Sequence, residues 1–160
     1  MISSPQHELA QWMEKLLEPV HKSMVRHTMK DSFEVVKLLD QINVKGKHMA
    51  TFDFQSLFTN VPGREVIRII CDHVEQNQLK IGIPVSVLVR QLLLCTTNVS
   101  FSFLGRAYIQ IDGVPMRTPL SPILAHIFMA RLEEKASKIL QHSQLYKRYV
   151  DHVLVITISL

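Results

Sequence analysis

Two aspartates in the sequence lie where a carboxylate is costly to bury unless it binds something. Asp53 closes an apolar run that begins at Met49, and Asp151 separates the last two apolar runs of the chain. A carboxylate in such a place must be paired, or must bind a cation, to offset its lost hydration. If a sheet brought the two together, their hard oxygen atoms could hold a divalent cation. The alternative is that each aspartate hydrogen-bonds the backbone of its own turn.

His152 directly follows Asp151 and offers a third side chain to such a site. Imidazole is a poor magnesium ligand and suits zinc or copper better. An adventitious zinc site formed by Asp53, Asp151 and His152 is therefore one candidate. His21 and His27 lack the i, i+4 spacing of a helical metal pair, so we expect no separate histidine cluster.

The elements that must position these side chains follow from hydrophobic spacing. In five segments apolar residues recur at a spacing of three or four residues. This spacing predicts helices over residues 5–25, 32–41, 62–76, 84–95 and 120–140. Short apolar or alternating runs predict strands over residues 49–54, 99–103, 107–111, 145–150 and 153–158. Residues 104–106 and 151–152 are expected to be hairpin turns. This order of helices and hairpins favours an α+β fold.

Several side-chain positions follow from the same pattern. In the second helix Phe33, Val35, Val36 and Leu39 are expected to face inward, and Trp12 is expected to pack in the core. Pro19 is expected to kink or end the first helix. The sequence ends on an apolar strand, which is unusual for a complete domain, so we expect a truncated folding unit.

Composition limits the class of protein. The chain has 160 residues, of which 47% are hydrophobic and 20% charged, as expected for one globular domain. The net charge of +4 permits a polyanionic partner. Two cysteines within apolar runs exclude a disulfide scaffold and favour buried thiols, which indicates an intracellular protein. We expect no signal peptide and no membrane span, and aromatic residues are too sparse for a base-stacking sheet.

Three motifs follow one another along the chain. The first is FDFQSLFTNVP at residues 52–62, the second is QIDGVPMRTPLSP at residues 110–122, and the third is YVDH at residues 149–152. In this order they resemble the motifs of reverse transcriptases, and of Penelope-like retroelements in particular. The resemblance implies a right-hand polymerase palm with part of the fingers, in which helices pack on an antiparallel sheet. Residues 1–160 would then be a partial domain, truncated at both ends.

The resemblance also implies an activity and a set of site residues. The activity is RNA-directed DNA synthesis from deoxynucleoside triphosphates on an RNA template and a DNA primer, and the family implies the nucleus as its location. Two Mg²⁺ ions would lie on Asp53 and Asp151, which are the catalytic and metal-binding residues, beside His152 at a degenerate catalytic position. Phe58 would be a gate against the ribose 2′-hydroxyl, unless it is a core phenylalanine. The residues implied to bind nucleotide are Phe54, Phe58, Gly113, Met116, Arg117, Pro119 and Ser121.

The sequence departs from the family pattern at chemically important positions. His152 replaces the second aspartate of the YxDD turn, and Arg117 replaces a glycine that lets backbone approach the nucleotide. Thr118 replaces a serine and His126 an asparagine. We therefore expect an impaired or inactive copy. The alternatives are a non-catalytic nucleic-acid-binding remnant and the unstable product of a decayed element.

Basic residues near the third motif could bind phosphates. Lys147 and Arg148 precede the turn, and Lys22, Arg26 and Lys30 follow the first helix. An ordinary solvated face is the alternative for both groups.

Overall fold

The computed structural model describes residues 5–158 and combines helices with antiparallel sheet, as the hydrophobic spacing predicts. The helices are α1 Pro5–Met24, α2 Ser32–Asp40, α3 Leu57–Asn60, α4 Gly63–Gln76, α5 Val85–Thr96, α6 Leu120–Lys135 and α7 Ser137–Leu140. The strands are β1 His48–Asp53, β2 Ser100–Phe103, β3 Arg106–Ile109, β4 Leu145–Tyr149 and β5 His152–Thr157.

A three-stranded antiparallel sheet carries the first and third motifs. Its strand order is β1-β5-β4, so β5 lies in the centre. The register pairs Asp53 with His152 across β1 and β5, and pairs Tyr149 with His152 across the β4-β5 hairpin. The hairpin turn is Val150-Asp151, and His152 is the first residue of β5 rather than part of the turn. This shift by one residue puts His152 level with Asp53.

The main core lies between helices α1, α4, α5 and α6. Each contributes apolar side chains with almost no exposed surface, namely Met13, Leu17, Ile70, Leu88, Leu92, Leu124 and Ile127. Removal of these large side chains from water is the dominant favourable term in folding. Cys71 and Cys95 are buried free thiols, as predicted, and burial raises the pKa of Cys71 to about 11.

Two predictions about buried side chains are wrong. Trp12 is 46% exposed and Phe33 is 75% exposed, and none of the side chains of α2 is buried. Helices α1 and α2 are each apolar on one face, but the apolar face of α2 lies outside the main core. Pro19 does not end α1, which continues to Met24.

The predicted helix over residues 120–140 is confirmed from Leu120 to Lys135, but it divides at Ala136. Residue 136 has φ −87° and ψ 4°, outside the helical range of its neighbours, and α7 follows as a separate turn. None of the residues of α7 is buried, so no packing holds a continuous helix beyond α6.

The predicted hairpin around Gly105 is confirmed, and its turn is one residue shorter than the predicted turn over residues 104–106. Strands β2 and β3 pair in antiparallel register, and Leu104 and Gly105 alone form the turn. Both residues have positive φ, 49° and 76°, as two-residue hairpin turns require. Within residues 5–158 none of the helices has the length and apolar character needed to cross a bilayer.

Candidate functional site

The sheet brings Asp53, Asp151 and His152 together at one end of its strands. His152 Nδ1 lies 3.2 Å from Asp53 Oδ1, and His152 Nε2 lies 3.6 Å from Asp151 Oδ1. One ligand atom from each residue can be chosen so that all three lie within 4.8 Å of one another. The first and third motifs therefore meet in space, as the sequence predicts. The catalytic and metal-binding roles of these residues stay predictions.

Backbone pairing holds the cluster in place. Asp53 and His152 are paired residues of β1 and β5, and the N–H of Phe54 donates a hydrogen bond of 2.9 Å to the carbonyl of Asp151. The side chains remain accessible, since His152 is 67% exposed, Asp53 57% and Asp151 37%. A ligand from solvent can therefore reach all three without an opening motion.

This donor set does not fit a pair of magnesium ions. Magnesium binds oxygen atoms in octahedral geometry and keeps several waters. Here an imidazole lies beside both carboxylates, at 3.2 Å from Asp53 and 3.6 Å from Asp151. Imidazole is a ligand for zinc, copper, iron or nickel rather than for magnesium. The side chain of His152 therefore changes both the charge and the metal preference of the site.

The second motif packs against the first through backbone. Gly113 has φ 79°, and a Cβ atom at this position would lie 2.7 Å from Phe58 O, Thr59 Cα and Thr59 O. The N–H of Val114 donates a hydrogen bond of 2.8 Å to Phe58 O. The close approach of two backbone segments therefore explains why glycine occupies position 113. Its predicted nucleotide contact stays a prediction.

The other predicted nucleotide-binding residues divide into exposed and buried ones. Met116 is 58% exposed and Phe54 is 38% exposed, so both can meet a ligand. Phe58 is half-buried and packs against the main core, in agreement with the alternative of a core phenylalanine. Pro119 is half-buried at the start of α6. Ser121 is 1% exposed and donates its hydroxyl hydrogen to the carbonyl of Pro115, so it braces the motif loop.

Arg117 is exposed and has a left-handed backbone, with φ 63°. A residue with a Cβ pays roughly 1 kcal/mol in this region, whereas glycine does not. We therefore expect Arg117→Gly to raise the free energy of unfolding by up to about 1 kcal/mol. Urea denaturation monitored by circular dichroism measures this. Arg106→Gly, in strand β3, is the control and is expected to destabilise the protein.

A buried ion pair lies behind the candidate site, and sequence reasoning missed it. Arg148 has no exposed surface, and its Nε donates a hydrogen bond of 2.7 Å to Glu133 Oε1 of α6. Arg148 Nη1 also donates to the carbonyl of Val150 in the hairpin turn, at 3.0 Å. The prediction that Arg148 contacts phosphate or lies on a solvated face is wrong. It ties the Val150-Asp151 turn to helix α6.

Tyr146 completes this network. Its hydroxyl donates to Glu133 Oε1 at 3.2 Å, and burial, together with the charge of Glu133, raises its pKa to about 12. The sequence of β4, in which Lys147 and Arg148 are adjacent, gave no signal for this arrangement. The apparent surface pattern of β4 conceals one fully buried cation.

Two histidines form a second, partly buried contact, between α1 and α6. His21 Nε2 and His126 Nδ1 are 3.0 Å apart and share one hydrogen bond. Burial lowers the pKa of His126 to about 4, and the charges of Arg148 and His21 act in the same direction. Burial also lowers the pKa of His21. His126, noted above as a departure from the family asparagine, is therefore a neutral packing residue.

This pair predicts that acid weakens the fold. An unfolded histidine has a pKa near 6.5, so the unfolded chain binds more protons than the folded chain between pH 6.5 and about 4. Above pH 6.5 His126 is neutral in both states, and its contribution to the free energy of unfolding is complete. It falls by about 3 kcal/mol as the pH decreases through that window.

The measurement is the free energy of unfolding in urea at pH 7 and at pH 4.5. His126→Asn is expected to flatten this dependence, because asparagine does not titrate. The interpretation fails if wild type and His126→Asn lose the same stability between the two pH values.

Comparison with known proteins supports the fold. No known family's sequence model matches the chain, and no curated protein sequence matches it. A solved structure of telomerase from Candida albicans, in complex with a TWJ fragment of telomeric RNA, superposes with a TM-score of 0.67. The identity is 15%, over 93% of this chain and 30% of that chain.

A structure of apo telomerase from Candida tropicalis, truncated from its C-terminal domain, is similar with a TM-score of 0.65. The identity is 16%, over 96% of this chain and 34% of that chain. The chain thus spans about a third of the length of the solved proteins it matches. At this identity the likeness concerns the fold alone, which the chain shares with part of each of these two telomerase structures.

Proposed function

We propose that this chain is the palm and part of the fingers of an RNA-directed DNA polymerase from a Penelope-like retroelement. One observation carries the proposal: Asp53 at the end of β1 and Asp151 in the β4-β5 turn, far apart in sequence, bring carboxylate oxygens within 4.8 Å of each other in a polymerase-like fold. An RNA template, a DNA primer and deoxynucleoside triphosphates are the proposed partners. The setting is inside the cell, with the nucleus as the family's implied location.

We further propose that this copy synthesises little or no DNA with magnesium. Phosphoryl transfer depends on positioning and on neutralisation of charge, which metal ions supply in enzymes of this type. Asp53 and Asp151 offer two carboxylates, but His152 removes the third carboxylate and contacts the other two. Arg117 adds an exposed cationic side chain beside the second motif, where the family has glycine. These two departures support an impaired site on an intact fold.

The test is primer extension on an RNA template, with the natural chain and with the double variant His152→Asp/Arg117→Gly. We expect synthesis in the double variant that is at least tenfold above that of the natural chain. The matched control adds Asp151→Asn to the double variant, which removes a proposed metal ligand at nearly constant size and is expected to abolish synthesis.

Two results would contradict the proposal. Robust synthesis by the natural chain would show that the third carboxylate and the glycine are dispensable. Salt-dependent nucleic-acid binding without synthesis in either version would instead favour the alternative of a non-catalytic binding remnant. Circular dichroism of all variants distinguishes both results from loss of folding.

A further inference from the structure

We propose that Asp53, Asp151 and His152 bind a single zinc ion in preference to magnesium. The inference concerns metal binding alone, so it holds whether or not the chain polymerises nucleotides. It starts from a side chain that the polymerase function does not use. His152 is both exposed and in contact with two carboxylates.

The distances within the cluster suit a small tetrahedral ion. Zinc binds imidazole nitrogen and carboxylate oxygen at about 2.0–2.2 Å, so neighbouring ligand atoms of a tetrahedral site are about 3.3–3.5 Å apart. His152 Nδ1 and Asp53 Oδ1 are already 3.2 Å apart. The longest separation in the cluster is at most 4.8 Å, which rotation of exposed side chains can shorten.

The chemistry of the donor set favours zinc. Two carboxylates and one imidazole form a mixed oxygen and nitrogen set; imidazole suits zinc, whereas magnesium prefers oxygen ligands alone. Three protein ligands leave a fourth position for water, and all three side chains are accessible to solvent. Magnesium gains nothing from the nitrogen and loses part of the space that its waters need.

The scaffold holds two of the ligands before any metal arrives. Asp53 and His152 are paired residues on adjacent strands, and the Asp151 carbonyl accepts the N–H of Phe54. Preorganised ligands lose little entropy on binding. Because the ion would bind the folded chain and bridge β1 to the β4-β5 hairpin, zinc is expected to raise the midpoint of thermal unfolding.

The test is isothermal calorimetry of the purified chain with zinc chloride and, separately, with magnesium chloride. We expect one zinc ion per chain and at least tenfold weaker magnesium binding. His152→Gln is expected to weaken zinc binding by at least tenfold, since loss of groups that only orient a metal ligand already weakens binding by about 10- to 100-fold. Cobalt binding gives an independent readout through the visible absorption of four-coordinate cobalt.

His48→Ala is the matched control, because His48 is an exposed histidine of β1, at the opposite end of that strand from Asp53. It is expected to leave zinc affinity unchanged. Equal zinc affinity in the natural chain and His152→Gln, with both folded by circular dichroism, would overturn the proposal. An equal loss of zinc affinity in His126→Asn and in His152→Gln would also overturn the proposal, because it would assign the ion to the partly buried pair His21 and His126.

The outcomes separate this inference from the proposed function. Failure of zinc binding alongside synthesis by His152→Asp/Arg117→Gly would reject the zinc site and leave the polymerase proposal standing. Zinc binding that depends on His152, without synthesis in any variant, would support the zinc site and count against the polymerase.

Discussion

Arg148→Met is expected to lower the free energy of unfolding by about 3–5 kcal/mol. The substitution leaves Glu133, which is 5% exposed, without the cation that faces it. It also removes the hydrogen bond to the Val150 carbonyl, which fixes the hairpin turn beside Asp151. A buried charge left alone is among the most destabilising changes in a core. Urea denaturation measures the loss.

Two further variants show whether the charge is the cause. Lys147→Met changes the adjacent, half-buried cation of the same strand and is expected to cost less than about 1 kcal/mol. The double variant Arg148→Met/Glu133→Leu removes both charges, and it is expected to recover much of the stability that the single variant loses. A single Arg148→Met effect as small as that of Lys147→Met would contradict the buried ion pair.

Gly113→Ala is expected to lower the free energy of unfolding by about 3 kcal/mol or more. The left-handed backbone alone costs an alanine roughly 1 kcal/mol. The added Cβ would also lie 2.7 Å from three backbone atoms of Phe58 and Thr59, a distance that such atoms cannot accept. The two motif segments must therefore separate, and this loses the hydrogen bond from Val114 to Phe58.

Gly105→Ala isolates the steric contribution. Gly105 has a nearly equal φ of 76°, but a Cβ there meets nothing within 4 Å. Its substitution is expected to cost only about 1 kcal/mol. Equal losses for the two alanine variants, measured by the same urea titration, would show that the second motif does not pack closely on the first.

The sequence predicts the strands around the aspartates well, because the pattern there is simple. Asp53 and Asp151 each end or interrupt an apolar run, and such runs form strands. The adjacency of β1 and β5 was a hypothesis that spacing alone could not decide. The motif resemblance made it specific, and the strand register agrees.

Other features had no local signal in the sequence. Tyr146, Lys147 and Arg148 form a polar run typical of an exposed strand, yet Arg148 has no exposed surface and pairs with Glu133 of α6. Phe33 and Trp12 were expected to be buried, but the core is filled by other faces of the helices. Periodicity identifies an apolar face without showing whether another element covers it.

The pairing of β1 with β5 also bears on the order in which the molecule folds. Hairpin β4-β5 closes a two-residue turn and can form within microseconds. Asp53 and His152, in contrast, are partners that lie 99 positions apart in a chain of 160 residues, by subtraction of their numbers. Contacts between residues so distant in sequence form slowly, since a long loop must close before they can form. The cluster of Asp53, Asp151 and His152 is therefore expected to assemble among the last native contacts.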